Sequence, residues 1–93
     1  MNSNLLKEIA NVLKENAKLN VIIVGHTSND GDAGANLEFS EQHAAAVKAV
    51  LTSEFGVEAA RLLTDGKGDT ELVDKGGTAE AKANNRRVEF IKQ

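Results

Sequence analysis

The stretch LNVIIVGHTSNDG, residues 19–31, joins an apolar run to a polar loop, and the rest of the chain is interpreted around it. Residues 19–24 are rich in β-branched side chains without polar alternation, which is typical of a strand buried on both faces. We therefore expect this strand at the centre of a sheet. The polar side chains after Gly25 either form a long turn or hold a ligand.

Apolar residues at helical spacing predict a helix on each side of this strand. The first is an amphipathic helix over residues 4–17. The second begins between residues 35 and 40 and ends at Gly56. Its predicted core stripe is Ser40, Ala44, Val47, Leu51 and Phe55.

The remaining segments predict two more strands and a third helix. A short strand is expected around residues 61–64, a loop over 69–77, a short helix capped by Thr78, and a last strand over 86–92. The order is therefore α, β, α, β, α, β, which predicts helices packed on a sheet, in an α/β or α+β sandwich. A sheet of only three strands leaves long edges exposed.

Composition limits the function classes. A chain of 93 residues forms one small domain, which we place over residues 1–93. A net charge of -3 argues against a nucleic-acid binder, and the absence of cysteine excludes disulfides and thiolate metal sites. The longest apolar run, residues 21–24, is too short to insert in a membrane, and the N-terminus lacks a signal peptide, so for an exported protein the signal is expected upstream.

The polar loop offers residue types used in metal sites and hydrolases, but without the required pattern. Zinc needs a third protein ligand beside His26 and His43, and calcium needs more oxygen ligands than Asp30 and Asp32 supply, so these aspartates are interpreted as turn formers. A triad built from Ser28, a histidine and Asp30 lacks the strained elbow that exposes a nucleophile. We therefore predict neither an enzyme nor a metal or other cofactor.

Other polar residues have two interpretations at this level. Asn36 either caps the second helix or contacts a ligand. Arg86 and Arg87 alternate along the last predicted strand, so only one of them can face a ligand pocket. Arg61 and Glu89 are interpreted as surface charges, and the three phenylalanines, Phe39, Phe55 and Phe90, as core residues.

Three separated segments together resemble a known family. GHTSNDGDAGANLEFSEQHAAAV (25–47), GVEAARLLTDGKGD (56–69) and AKANNRRVEF (81–90) are similar to the motifs of the OmpA-like peptidoglycan-binding domain, and the resemblance covers residues 4–92. It implies an α+β two-layer sandwich with a mixed β-sheet and helices packed on one face. Family members usually begin with a further strand, which is missing here. The exposed sheet edge that this leaves is expected to be filled by a second copy in a homo-oligomer, by upstream residues of the parent protein or by a rearranged terminus.

The resemblance also implies a ligand and a pocket. The family is noncatalytic and binds the diaminopimelate of the peptidoglycan stem peptide. It uses an Asp directly after the Thr of its GHT motif and an Arg three residues after the Ser of its Leu-Ser motif, which corresponds to Ser40 here. In this chain those two positions hold Ser28 and His43, so both usual charges are replaced. The ligand-binding residues implied are Gly25, His26, Thr27, Ser28, Asn36, His43, Arg86 and Arg87.

The resemblance, together with the replacement of the two usual charged residues, indicates two candidate functions. The first is a periplasmic cell-wall anchor, part of an outer-membrane-associated protein, with weakened or lost binding to the stem peptide. The second is a scaffold or protein-interaction module that keeps the fold without the ligand. Without Trp or Tyr, and with the phenylalanines in the core, cell-wall contact is expected through the peptide stem rather than the sugars.

Overall fold

The computed structural model describes residues 3–29, 31–72, 75–76 and 78–93, and it has the predicted order of elements. A short 3-10 helix, Ala59–Arg61, precedes the second strand. The elements are α1 (Ser3–Glu15), β1 (Val21–His26), α2 (Ala33–Ser53), β2 (Leu62–Gly68), α3 (Ala79–Asn85) and β3 (Val88–Lys92).

The three strands form one mixed sheet in the order β2-β1-β3. β1 is parallel to β2, where Val21 is opposite Leu62, and antiparallel to β3, where Ile23 is opposite Phe90. The prediction that the apolar run lies at the centre of the sheet is therefore confirmed, as is the mixed α+β class.

One buried cluster joins β1 to both long helices. Val21 and Ile23 point to the face that α1 and α2 cover, since alternate residues of a strand share a face. Burying each such Val, Leu or Ile contributes about 1.5–3 kcal/mol relative to leaving it exposed. The cluster consists of Leu6, Ala10, Leu13, Val21, Ile23, Ala44, Val47, Leu51, Val57 and Leu62.

The start of α2 differs from the prediction. The helix begins at Ala33, before the expected range of 35 to 40, because the Asp32 carboxylate accepts a hydrogen bond from the Ala35 amide at 2.9 Å. Asp32 is thus the cap, and the interpretation of Asn36 as the cap is wrong. Asp32 does bond a nearby amide, as expected of a turn-forming aspartate, whereas Asp30 lies outside the described residues.

The strand limits also differ. β2 runs to Gly68 rather than ending near residue 64, because its polar second half still pairs with β1. β3 begins only at Val88, so Arg86 and Arg87 precede the strand instead of lying in it. Thr78 caps α3 as predicted, accepting a hydrogen bond from the Ala81 amide at 3.1 Å.

Two glycines let α2 approach the sheet closely. A side chain at Gly25 would overlap the backbone carbonyl of Ser40, and one at Gly66 would overlap both Ser40 and Glu41. The Ser40 hydroxyl fills this narrow space, accepting a hydrogen bond from the Gly68 amide at 2.9 Å and donating one to the Leu37 carbonyl at 2.7 Å. The N-terminal half of α2 is therefore fixed against the C-terminal ends of β1 and β2.

The two outer strands, β2 and β3, are the edges of the sheet among the described residues. An apolar groove of about 230 Å³ runs between α1 and β3, lined by residues that include Ile9, Val12 and Phe90. On the opposite face of the sheet, Leu63, Ile22 and Ile91 are neighbours across the three strands. Association through a sheet edge and the lack of a strand before α1 both stay predictions.

Arg61 is not the simple surface charge that its sequence context indicated. Its Nη2 lies 2.6 Å from the carbonyl oxygens of Leu13 and Asn16, and both Nη2 and Nε donate to the Leu19 carbonyl, at 2.8 and 3.2 Å. These carbonyls belong to the end of α1 and to the turn that follows it. A cation here satisfies orphan carbonyls and complements the negative end of the helix.

Replacing Arg61 with Met should therefore lower the free energy of unfolding by about 2 kcal/mol, because charge-assisted hydrogen bonds to the end of α1 are lost. Arg61→Lys should recover only part of this, since an ammonium lacks the planar fork that reaches several carbonyls. Urea denaturation measures both values. Lys7→Met, on the exposed side of α1, is the control, and an equal loss in that variant would contradict the assigned role.

Candidate functional site

The C-terminal end of β1 is held between the other two strands by backbone hydrogen bonds. The His26 amide donates to the Arg87 carbonyl at 2.8 Å, and the Arg87 amide donates back to the His26 carbonyl at 3.3 Å. On the other side, the Thr27 amide donates to the Gly68 carbonyl at 2.8 Å. Three segments singled out from the sequence therefore meet at one place. They are the GHT loop, the glycine-rich end of β2 and the pair Arg86 and Arg87.

The His26 side chain is buried beneath this junction, with only 2% of the residue exposed. Its Nε2 lies 3.2 Å from Oε1 of Glu89, but not at a hydrogen-bonding angle, so neither ring nitrogen has a hydrogen-bond partner among the described residues. Burial and the nearby guanidinium of Arg87 lower the pKa of His26 below its ordinary value of 6.5, while Glu89 acts in the opposite direction. The imidazole is therefore neutral at pH 7.

Arg87 forms three side-chain hydrogen bonds at this end of the sheet. Its Nε donates to Oε1 of Glu89 at 2.7 Å, its Nη1 to the Asn85 carbonyl at 3.3 Å, and its Nη2 to the Glu71 carbonyl at 2.9 Å. These contacts tie β3 to the end of α3 and to the loop after β2. The guanidinium is half-buried and held in a fixed orientation.

Glu89 consequently has a different role from the surface charge expected of it. One of its carboxylate oxygens contacts both Arg87 and the His26 ring. The signal for this role was present in the sequence, because Arg87 and Glu89 are two residues apart and so face the same side of an extended chain. What the sequence did not show was that β1 would place a histidine next to them.

Arg86 and Arg87 differ in environment, as expected, but for another reason than strand alternation. Arg86 is the C-terminal cap residue of α3, where its amide bonds the Lys82 carbonyl, and its side chain is exposed. Arg87 lies between α3 and β3. Only Arg87 therefore joins the cluster around His26.

The other predicted ligand residues lie around the same junction. Thr27 is half-buried and donates from its hydroxyl to the Ser28 carbonyl at 3.0 Å, and Ser28 is only 5% exposed. Asn36, half-buried, is in the first turn of α2, and His43, exposed, is two turns further along the same side of the helix. Ser28 is thus nearly enclosed, whereas His43 is exposed to solvent.

Phe39 corrects a further expectation. Its aromatic character predicts a core position, as for Phe55 and Phe90, which are partly buried, but Phe39 is 63% exposed. The signal was available, because the buried stripe of α2, Ser40, Ala44, Val47 and Leu51, leaves position 39 outside the face that contacts the sheet. An exposed aromatic side chain therefore stands between Asn36 and His43.

The described part of the chain contains neither a cluster of metal-ligating side chains nor a membrane-spanning helix. No three side chains of the types His, Asp or Glu come together there in a way that could hold a metal ion. None of its helices combines the length and apolar character needed to cross a membrane.

Most of the chain is similar in sequence to a known family and to curated proteins. The OmpA family matches residues 2–86 of the chain. The probable lipoprotein YiaD of Escherichia coli is 40% identical over 88 residues, which are 95% of this chain and 40% of that protein. The peptidoglycan-binding protein ArfA of Mycobacterium tuberculosis is 34% identical over 87 residues, which are 94% of this chain and 26% of that protein.

A solved structure shows the same fold. The peptidoglycan-associated lipoprotein from Burkholderia pseudomallei superposes with a TM-score of 0.91 at 30% identity, covering 97% of this chain and 75% of that one. The chain spans less than half the length of the curated relatives it matches. Likeness to these proteins therefore concerns one domain of larger molecules.

The buried imidazole makes folding stability depend on pH. Because the pKa of His26 is lowered in the folded state, the unfolded chain binds the proton first, and stability is lost as the pH falls below about 6.5, by at most about 1.4 kcal/mol per pH unit. His26→Phe should flatten this slope in urea denaturation between pH 7.5 and 5. If the slope vanished instead with His43→Gln, which removes the other imidazole, the assignment to His26 would be wrong.

Proposed function

Because the chain belongs to the OmpA family, we propose that it is a noncatalytic domain that binds peptidoglycan and anchors its parent protein to the cell wall. Support comes from the relatives, one of which is named for binding peptidoglycan and another for association with it. The observation that carries the proposal is the fixed guanidinium of Arg87 at the end of β1. The cluster around it has the chemistry of a binding site, without an activated nucleophile.

The proposed ligand is the stem peptide, through its diaminopimelate residue. Arg87 has five N–H donors, and the three hydrogen bonds to Glu89, Asn85 and Glu71 leave two of them for a ligand within the described structure. A guanidinium held in place loses little side-chain entropy when it binds a carboxylate. We therefore assign the ligand carboxylate to Arg87.

The ligand ammonium requires an acceptor with negative charge. Ser28 brings none, but the Glu89 carboxylate is partly exposed and lies beside Arg87. Glu89 already shares its charge with that guanidinium, so its attraction for an ammonium is reduced. We expect binding that is real but weaker than that of a pocket with a dedicated Asp and Arg.

The competing proposal is a scaffold or protein-interaction module that does not bind peptidoglycan. Its support is the side-chain chemistry at two positions, since neither Ser28 nor His43 carries the fixed charge that the resemblance calls for. Each charge-assisted hydrogen bond lost would weaken binding by about 1.5–3 kcal/mol. The two proposals therefore differ in a measurable affinity.

We also propose a periplasmic location, within a protein associated with the outer membrane. The support is the nature of the relatives, which include a probable lipoprotein and an outer membrane porin. Peptidoglycan would be accessible to the domain there.

Arg87→Lys should weaken binding to the isolated stem peptide by at least tenfold, because an ammonium cannot form the bidentate contact of a guanidinium. Isothermal titration of the domain with a diaminopimelate-containing stem peptide measures this. Arg86→Lys is the matched control, since its side chain is exposed at the end of α3.

Equal weakening in both variants would indicate a general effect of arginine at the surface and would contradict the assigned role of Arg87. Circular dichroism of each variant verifies the fold, because Arg87 also bonds three protein groups.

The double substitution Ser28→Asp, His43→Arg should strengthen stem-peptide binding by at least tenfold, since it restores a charge for each end of the zwitterion. His43→Arg alone should give a smaller gain. A folded double variant that bound no better than the original chain would contradict the importance given to these two positions. If the original chain bound nothing and the double variant bound tightly, the scaffold proposal would be preferred.

A further inference from the structure

Phe39 is an exposed aromatic residue without a structural task. It lies in the N-terminal half of α2 but outside the stripe that packs on the sheet, and 63% of it is accessible to solvent. Leaving an aromatic side chain in water forgoes the stabilisation that its burial would give, about 1.5–3 kcal/mol. Such a residue is a candidate for contact with a ligand.

A shallow concavity of about 180 Å³ surrounds this ring. Its lining consists of Ala35, Glu38, Phe39 and Gln42, all on α2. The Gln42 carboxamide donates to one Glu38 carboxylate oxygen at 3.3 Å, which orients both polar groups along the rim. The concavity thus combines one flat apolar surface with hydrogen-bonding groups beside it.

This composition suits a sugar better than an apolar protein surface. A pyranose ring presents C–H groups on its face and hydroxyls at its edge, which match an aromatic ring flanked by a carboxylate and a carboxamide. A protein partner would want a wider apolar area, but the other large exposed apolar residue of α2, Leu37, is about 160° around the axis from Phe39. Leu37 instead lies against Gly68.

The concavity adjoins two of the ligand-binding residues that the sequence predicts, Asn36 and His43. Phe39 is three residues after Asn36 and four before His43, which are the spacings of neighbours on a helix surface. In peptidoglycan each stem peptide is attached to an amino sugar of the glycan strand. A stem peptide bound beside Asn36 and His43 would therefore carry its sugar ring towards this side of α2.

We propose that Phe39, with Glu38 and Gln42, forms a subsite for an amino-sugar ring of the glycan strand. The inference rests on the proposed peptidoglycan-binding function and extends it from the peptide to the sugar. Phe39 supplies the stacking surface, and the two polar side chains bind ring hydroxyls. The subsite would let the domain prefer intact cell wall over free peptide fragments.

The test compares two soluble probes of known structure, the diaminopimelate-containing stem peptide alone and the same peptide attached to its disaccharide. The original chain should bind the disaccharide peptide roughly three- to tenfold more tightly. Phe39→Ala should remove this preference while leaving affinity for the free peptide unchanged. Leu63→Ala, an exposed apolar position on the opposite face of the sheet, is the control and should keep the preference.

Each other outcome is distinguishable. Equal affinity of the original chain for the two probes would overturn the sugar subsite and leave the proposed function standing. Loss of affinity for both probes in Phe39→Ala would show that Phe39 contacts the peptide, which also overturns the subsite. Binding of neither probe by the original chain would overturn the proposed function and the subsite together.

Discussion

The close approach of α2 to the central strand is the constraint on which the rest of the structure depends. At Gly25 and Gly66 the helix backbone comes so near the sheet that no side chain fits between them, and the Ser40 hydroxyl bridges the helix to Gly68. Closely packed interiors are hard to compress, so the packed elements keep their relative positions. The first turns of α2 and the end of β1 are consequently fixed relative to each other, and the candidate site lies at that junction.

A second set of contacts, on the other side of the sheet, holds the polar cluster of His26, Arg87 and Glu89 at the same junction. A neutral, buried imidazole lies under a carboxylate that is shared with a guanidinium, and this guanidinium also bonds two backbone carbonyls. The central strand is linked to this cation by the two backbone hydrogen bonds between His26 and Arg87. The arrangement orients Arg87 and leaves two of its five N–H donors without a partner in the described part of the chain, which is what the proposed binding requires.

The features that local periodicity determines were predictable from the sequence. The β-branched run gave the central strand, and the spacing of Ser40, Ala44, Val47 and Leu51 gave the buried side of α2, because both depend on which face a residue occupies. The same stripe excluded Phe39, although aromatic character favoured placing it in the core. The spacing of the buried residues therefore predicts that Phe39 is exposed, whereas its aromatic residue type alone predicts a core position.

Features that depend on distant partners could not be predicted. Arg61 bonds carbonyls more than forty positions earlier in the chain, and the polar end of β2 is a strand only because β1 pairs with it. Likewise, Glu89 acquired its role when the fold placed His26 beside it. The sequence could propose the residues of the candidate site, but it could not show that Ser28 would be enclosed and His43 exposed.

The central claim is that ligand binds at the C-terminal end of β1 and along the adjoining side of α2. Mapping backbone amide chemical shifts during titration of the isotope-labelled domain with the disaccharide stem peptide tests it most directly. The account predicts that the largest changes fall in residues 25–28, 36–43 and 85–89. Changes concentrated at Ile22, Leu63 and Ile91 on the opposite face, or in the groove between α1 and β3, would contradict it, as would no change at all.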